Sequence, residues 1–377
     1  MIMLFIIWVL GIGNNAQRNT LTINSTDVPV IVGDKVIDRV LEISQKYDRV
    51  VMIAGSECLD KFGEYLPDLS GIRGELTKIT LNFDENLKNI RNYQKIIRVM
   101  IERNIAYDSL LVAVGGPRVC DISGFIASTY RGGIDFVPVP TMPLAQVSNA
   151  VSGSNGINFS SFEDAMATRY APKEINVDTY FTRNSDNDEL KDAIADIVRY
   201  GLLSDHSLIS LLNNHEDIKN LRESEGLVRL FSKSIQTRTE IAANRDSINR
   251  NSLVFGRVIG DTILHVSKNR AKYHEAIMAG MLVELFLAER SGISVREGRE
   301  RAHSIMSRYG LRKASIKELG IDNMIKALNE RYSLENRNLS FIVPEEIGQP
   351  VRFEMDLERL TSALRAFTEQ YEFNPML

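Results

Sequence analysis

Residues 111–158 read LVAVGGPRVCDISGFIASTYRGGIDFVPVPTMPLAQVSNAVSGSNGIN and decide the fold. The apolar run 111–114 has the composition of a buried strand, and Gly115-Gly116-Pro117 ends it. From Val119 onward, Ile122, Phe125 and Ile126 recur at helical spacing. A second apolar run, 136–139, stops at Pro140-Thr141. Strand, glycine turn and helix N-terminus in this order form a general device for a phosphate-bearing cofactor. Glycine lets the backbone come close, and the first helical N–H groups face the anion. A Gly-Gly pair after a strand is equally the sequence of a plain tight turn.

Working outward, 20–23 and 28–32 read as a β-hairpin, 49–54 and 76–83 as strands, and 36–47, 58–65 and 86–103 as helices. Strands alternating with helices imply a mostly parallel sheet. Beyond residue 172 the strand signals fade. Helical patterns cover 189–203, 206–213, 226–243, 252–266, 272–291, 295–309, 316–331 and 357–371, with one strand pair at 339–343. The expected organisation is an apolar extension over 1–18, a dinucleotide-binding α/β domain over 19–172 and a helical domain over 173–377. A chain of 377 residues is long enough for two cores.

A net charge of −4 gives no basic footprint for nucleic acid. Two cysteines, Cys58 and Cys120, make no disulfide framework and fit a reducing cytoplasm. The opening MIMLFIIWVLGIG is shorter than the roughly 20 residues of a membrane helix. No basic residue precedes it, so it lacks the n-region of a signal peptide. It reads as a dispensable extension, a weak anchor or a packed strand.

The shared register in the central stretch is long. It takes in Gly115-Gly116, Asp121, Gly124-Phe125, Thr129-Tyr130, Gly132-Gly133-Ile134, Val139-Pro140-Thr141, Leu144-Ala145-Gln146-Val147, Gly153 and Gly156-Ile157-Asn158. Together these resemble the 3-dehydroquinate synthase family of sugar-phosphate cyclases, over roughly residues 19–350. The resemblance implies a Rossmann-like N-terminal domain and a mainly α-helical C-terminal domain that carries the metal and substrate side of an active-site cleft. It also implies a cytoplasmic homodimer. The implied reaction is the NAD-dependent cyclisation of a heptulosonate phosphate with phosphate elimination, a step of the shikimate pathway. The implied cofactors are NAD and a divalent metal such as zinc, and the implied partner is a small sugar acid or sugar phosphate.

On the cofactor side, Glu85 and Lys88 match the acid and lysine that the family places beside the NAD ribose. Read alone, they are equally a solvated first helical turn. Gly115 and Gly116 form the implied phosphate cradle, Asp121 matches the aspartate near the nicotinamide, and Thr141 keeps the first threonine of a Pro-Thr-Thr motif. There are departures. Met142 replaces the second threonine. Pro117 removes one N–H donor, although Arg118 could restore a charge-assisted contact. Gly55 stands where the family has a ribose-binding aspartate, with Glu57 as a possible substitute.

On the catalytic side the departures accumulate. Asp196 stands at the first metal ligand, as in related polyol dehydrogenases, and Arg199 keeps a positive charge three residues on. Arg250 is kept. Arg257 and Asp261 replace two histidines, one a metal ligand and one a base. Tyr273 takes the third ligand position, with His274 beside it. Ser148, Ser154, Glu163 and Asp164 replace further polar groups, and the C-terminal lysine region reads Arg331-Tyr332-Ser333. The expected catalytic set is Arg199, Arg250, Arg257 and Asp261; the expected metal set is Asp196, Asp261 and His274. Three arrangements suit these residues. The metal site is rebuilt from the acids and His274, with His265 one turn beyond Asp261. Alternatively, Arg257 replaces the metal and pairs with Asp196. A one-residue shift near 273 is the third. The changes together imply little or no turnover of the usual heptulosonate phosphate. They leave open a second class: a catalytically silent or repurposed homologue that binds a dinucleotide or a protein partner.

Overall fold

The computed structural model describes residues 15–82, 87–159, 162–204, 206–332 and 338–371. Glu85 and residues 1–14 of the apolar extension lie outside the described residues. The chain divides into two compact units. One is Met1–Asp186 with Arg222–Thr239; the other is Asn187–Leu221 with Glu240–Leu377. Among the described residues no helix is long and apolar enough to cross a membrane.

In the first unit, β1 (Gln17–Ile23) and β2 (Thr26–Gly33) form the expected antiparallel hairpin. Next come β3 (Arg49–Gly55), β4 (Glu75–Leu81), β5 (Leu110–Gly115) and β6 (Asp135–Pro140), all parallel, in the order β4-β3-β5-β6. Side chains alternate across a strand, so each central strand feeds two cores. Val51, Ile53, Leu111 and Ala113 pack with Ile96 and Met100 of the Ile90–Glu102 helix and with Ile122 and Ile126 of the Pro117–Thr129 helix. Val50, Met52, Leu110 and Val112 pack on the other face with Val40, Cys58 and Phe62. Strand order reverses between β3 and β5. Open α/β sheets bind ligands in the crevice outside the carboxyl ends of the strands at such a switch, and Gly55 and Gly115-Gly116 stand there.

Three strands in 154–178 are additions to the sequence reading. β7 (Ser154–Phe159) and β8 (Phe162–Arg169) pair as a hairpin, and β9 (Ile175–Asp178) runs parallel to β2. Polar, half-exposed β7 has no apolar run to announce it, and β9 is only four residues long. The motif residue Gln146 ties this region together. Its Nε2 donates to Pro140 O (3.0 Å) and Asp178 O (2.8 Å), joining the ends of β6 and β9.

The second unit is built on two helices, Asn187–Ser204 and Tyr273–Arg290, both largely buried. A hairpin of β10 (Leu339–Glu346) and β11 (Gln349–Met355) completes it. The helix expected over 252–266 begins at Arg257 instead. Gly256, at φ +74°, breaks the chain there, and a side chain on Gly280 would overlap the Gly256 carbonyl. These glycines let the Arg257–Ser267 helix start against the Tyr273–Arg290 helix, which sets Arg257 in the first helical position.

Candidate functional site

In the first unit, β5 leads through Gly115-Gly116 directly into the Pro117–Thr129 helix. Asp121 lies in that helix's second turn and is buried. Lys88 Nζ donates to Asp121 Oδ2 (2.9 Å) and to Asp164 Oδ1 (2.8 Å). Gly156 leaves room for the Asp164 carboxylate, which a side chain there would displace. Burial pushes the Asp121 carboxyl up to about 6, against the pull of Lys88. Burial also opposes the Lys88 charge, but Asp121 and Asp164 outweigh it and hold the amine above its ordinary value. A buried acid poised near neutrality beside a lysine is a common mark of a functional position. Thr141 N donates to Gly115 O (3.0 Å), and the Met142 thioether lies over Gly116. A cavity of about 340 Å³ opens at the end of β4, lined by Leu81, Asn82, Leu87, Asn92 and Lys95. Lys88, Gly115, Gly116, Asp121 and Thr141 thus come together. Asp164, treated in the sequence as a loss, joins them.

The residues present fit a dinucleotide. The helix N-terminus follows the strand without a spacer, glycine leaves its face to a flexible thioether rather than to backbone, and a polar-rimmed slot lies at β4.

In the second unit, Asp196 is fully buried. It takes Arg199 Nη2 at 2.8 Å, Tyr200 Oη at 3.0 Å and Tyr273 Oη at 2.9 Å. Arg199 also donates to Leu253 O. Burial, reinforced by Asp196, pushes the Tyr273 phenol well above its ordinary range, so it stays a neutral donor. Arg257 turns to Asp261, one helical turn on, with Nε to Oδ2 at 3.2 Å and Nη2 to Oδ1 at 3.2 Å. Arg331 Nη2 reaches the same carboxylate at 3.4 Å. The expected Asp196–Arg257 ion pair is therefore corrected to two intrahelical pairs, Asp196–Arg199 and Arg257–Asp261. Asp261 raises the Arg257 pKa, with Tyr273 and Asp196 adding to the effect, so the two pairs share one electrostatic neighbourhood.

The expected metal set does not converge. His274 faces Asp192 Oδ1 through both its backbone N (2.9 Å) and Nδ1 (2.7 Å), both Asp196 oxygens accept from Arg199, Tyr200 and Tyr273, and Asp261 is held by two arginines. Among the described residues no group of three His, Cys, Asp or Glu side chains is placed to hold a metal ion. These residues do not fit a divalent cation. Arg250 is exposed in the short Ser247–Asn251 helix, and no described contact brings it to the cluster.

Glu284 escaped the sequence reading. Its carboxylate, fully buried, accepts from Gly256 N (2.6 Å) and Ile259 N (3.1 Å), so it caps the helix that Arg257 opens. The available signal is one acid inside the apolar run 276–288, since acids are almost never fully buried without a partner. Burial pushes Glu284 up to about 8, against the two N–H donors. With a folded-state pKa above its ordinary 4.5, its contribution to stability is complete below pH 4.5 and is lost as the pH climbs towards about 8. The expected slope from this group is up to about 1.4 kcal/mol per pH unit. Glu284→Gln should flatten that slope at the cost of one backbone hydrogen bond; urea midpoints measured across the window check it.

Solved structures of the same architecture define the class. The chain superposes on a 2-deoxy-scyllo-inosose synthase complexed with carbaglucose-6-phosphate, NAD+ and Co2+ with a TM-score of 0.83, at 18% identity over 93% of this chain and 99% of that one. A 2-epi-5-epi-valiolone synthase from Streptomyces hygroscopicus with NAD+ and Zn2+ bound gives a TM-score of 0.79, at 19% identity over 92% and 98%. The fold is that of the sugar-phosphate cyclases. Family profiles described as 3-dehydroquinate synthase N-terminal and C-terminal match residues 78–192 and 193–331. A 3-dehydroquinate synthase of Thermoplasma volcanium is 30% identical over 360 residues, 94% of this chain and 99% of its own. One of Sulfolobus acidocaldarius is 28% identical over 91% and 96%. The chain belongs to the 3-dehydroquinate synthase family.

Proposed function

We propose that this chain binds NAD at the carboxyl ends of β3 and β5 and acts as a 3-dehydroquinate synthase on a heptulosonate phosphate. The observation that carries the reading is the Lys88–Asp121 pair beside the Gly115-Gly116 turn, at the switch point of a parallel sheet. Whole-length similarity to proteins of that name, and solved neighbours holding NAD+, support it further. Bound NAD supplies reversible hydride acceptance. The Gly115–Gly116 backbone would receive its pyrophosphate, while Lys88 and Asp121 orient polar groups and hold a proton near neutrality. Cytoplasmic location and a dimer belong to the same reading.

Calorimetry with NAD tests the cofactor half. Cofactor at a hundredfold its dissociation constant is expected to stabilise the fold by about 2.7 kcal/mol; no heat and no thermal shift at millimolar NAD would contradict it. Release of inorganic phosphate from the heptulosonate phosphate tests the activity. One observation favours a second reading, a homologue that binds without turnover: the Asp196 carboxylate has no oxygen left uncommitted. NAD binding with no phosphate release selects that reading.

A further inference from the structure

At the metal-ligand positions implied by the family resemblance stand Asp196, Arg257 and Tyr273, and each is unsuited to a cation for a visible reason. Asp196 is committed to a guanidinium and two phenols. The Tyr273 hydroxyl is turned to Asp196 as a donor. Arg257 is itself a cation. Charge bookkeeping points the same way. The ion pairs set three guanidiniums, those of Arg199, Arg257 and Arg331, on two carboxylates, those of Asp196 and Asp261. One positive charge is left over. A net positive centre repels a divalent cation and attracts an anion.

The geometry also leaves donors open. The Arg257 and Arg331 side chains are 40% and 39% exposed, while the Asp261 between them is 14% exposed. Asp261 holds the Nε–Nη2 edge of Arg257 and meets Arg331 through Nη2 alone, at 3.4 Å. Arg257 Nη1, Arg331 Nη1 and Arg331 Nε have no hydrogen-bond partner among the described residues. A guanidinium whose fork is fixed on one side and open on the other is arranged to receive an oxyanion.

We propose that Arg257 and Arg331, held side by side on Asp261, form an oxyanion-binding pair that replaces the divalent cation, and that the site works without metal. The anion is a carboxylate or a phosphate of the ligand. Only its identity rests on the proposed function; the pair itself rests on the geometry.

The test is titration of the full-length, chelator-treated protein with inorganic phosphate and, separately, with quinate as a polyhydroxylated carboxylate. Whichever probe binds more tightly names the group. Binding is expected to survive chelation and to weaken with added salt. It should fall about ten- to a hundredfold in Arg257→Ala and in Arg331→Ala, the loss of a charged hydrogen bond. Arg257→Lys, which keeps the charge without the fork, should recover part of the affinity and shows that the loss is not one of folding. Zinc and cobalt should give no thermal shift. Stoichiometric metal in protein purified without chelator, or anion binding that appears only when metal is added, overturns the proposal, as does binding of neither probe. Phosphate release is scored separately. Metal-free anion binding without turnover removes the proposed function and leaves the pair standing; turnover that requires metal removes the pair and leaves the function.

Discussion

Asp196→Ala is expected to lower the unfolding free energy by about 3–5 kcal/mol, the cost of breaking a buried ion pair by removing one partner. Arg199 is 3% exposed, and its Nε is already buried without a hydrogen-bond partner among the described residues. Without Asp196 its charge keeps the Leu253 carbonyl and the face of the Tyr200 ring but no anion partner among the described residues, and Tyr200 and Tyr273 lose their Asp196 acceptor. Asp196→Asn keeps one acceptor oxygen but not the charge, and should fall between. In a metal-binding protein, by contrast, removing a ligand carboxylate would chiefly abolish metal-dependent stabilisation. Chemical denaturation of the two variants with and without zinc separates these accounts: here the loss is the same in both conditions.

Arg257→Ala is expected to reduce turnover at subsaturating ligand by about ten- to a hundredfold, the loss of a charged hydrogen bond to the ligand's oxyanion. The side chain is partly exposed and its only described hydrogen-bonding partner is Asp261 one turn away, so the fold should persist. Circular dichroism and a denaturation midpoint near wild type establish that, and phosphate release gives the rate. A rate unchanged within a few fold would show that Arg257 does not touch the chemistry.

The parallel sheet was legible because β3 and β5 are apolar runs buried on both faces, and the strand–glycine–helix turn after β5 because its glycines and apolar periodicity are local in sequence. The hairpin of β7 and β8 was not, since neither strand carries a continuous apolar run. Asp164 shows the same limit. As a letter it replaced another residue; in space it completes the Lys88 bridge. Around Asp196 and Arg257 the sequence reading misassigned the partners. Asp196 lies within reach of Arg199 in its own helix, and Arg257 within reach of Asp261 in its own. Four- and three-residue spacings place such pairs on one helical face, a local geometry that outcompeted the long-range pairing expected from the resemblance. Glu284 was missed because a buried acid reveals its role only through the backbone it caps.

The most direct measurement is phosphate release from the heptulosonate phosphate by protein supplied with NAD after exhaustive chelation, compared with the same protein given zinc or cobalt. The account predicts release at the same rate in both, falling in Arg257→Ala. No release in either condition, or release only when the metal is restored, would contradict it.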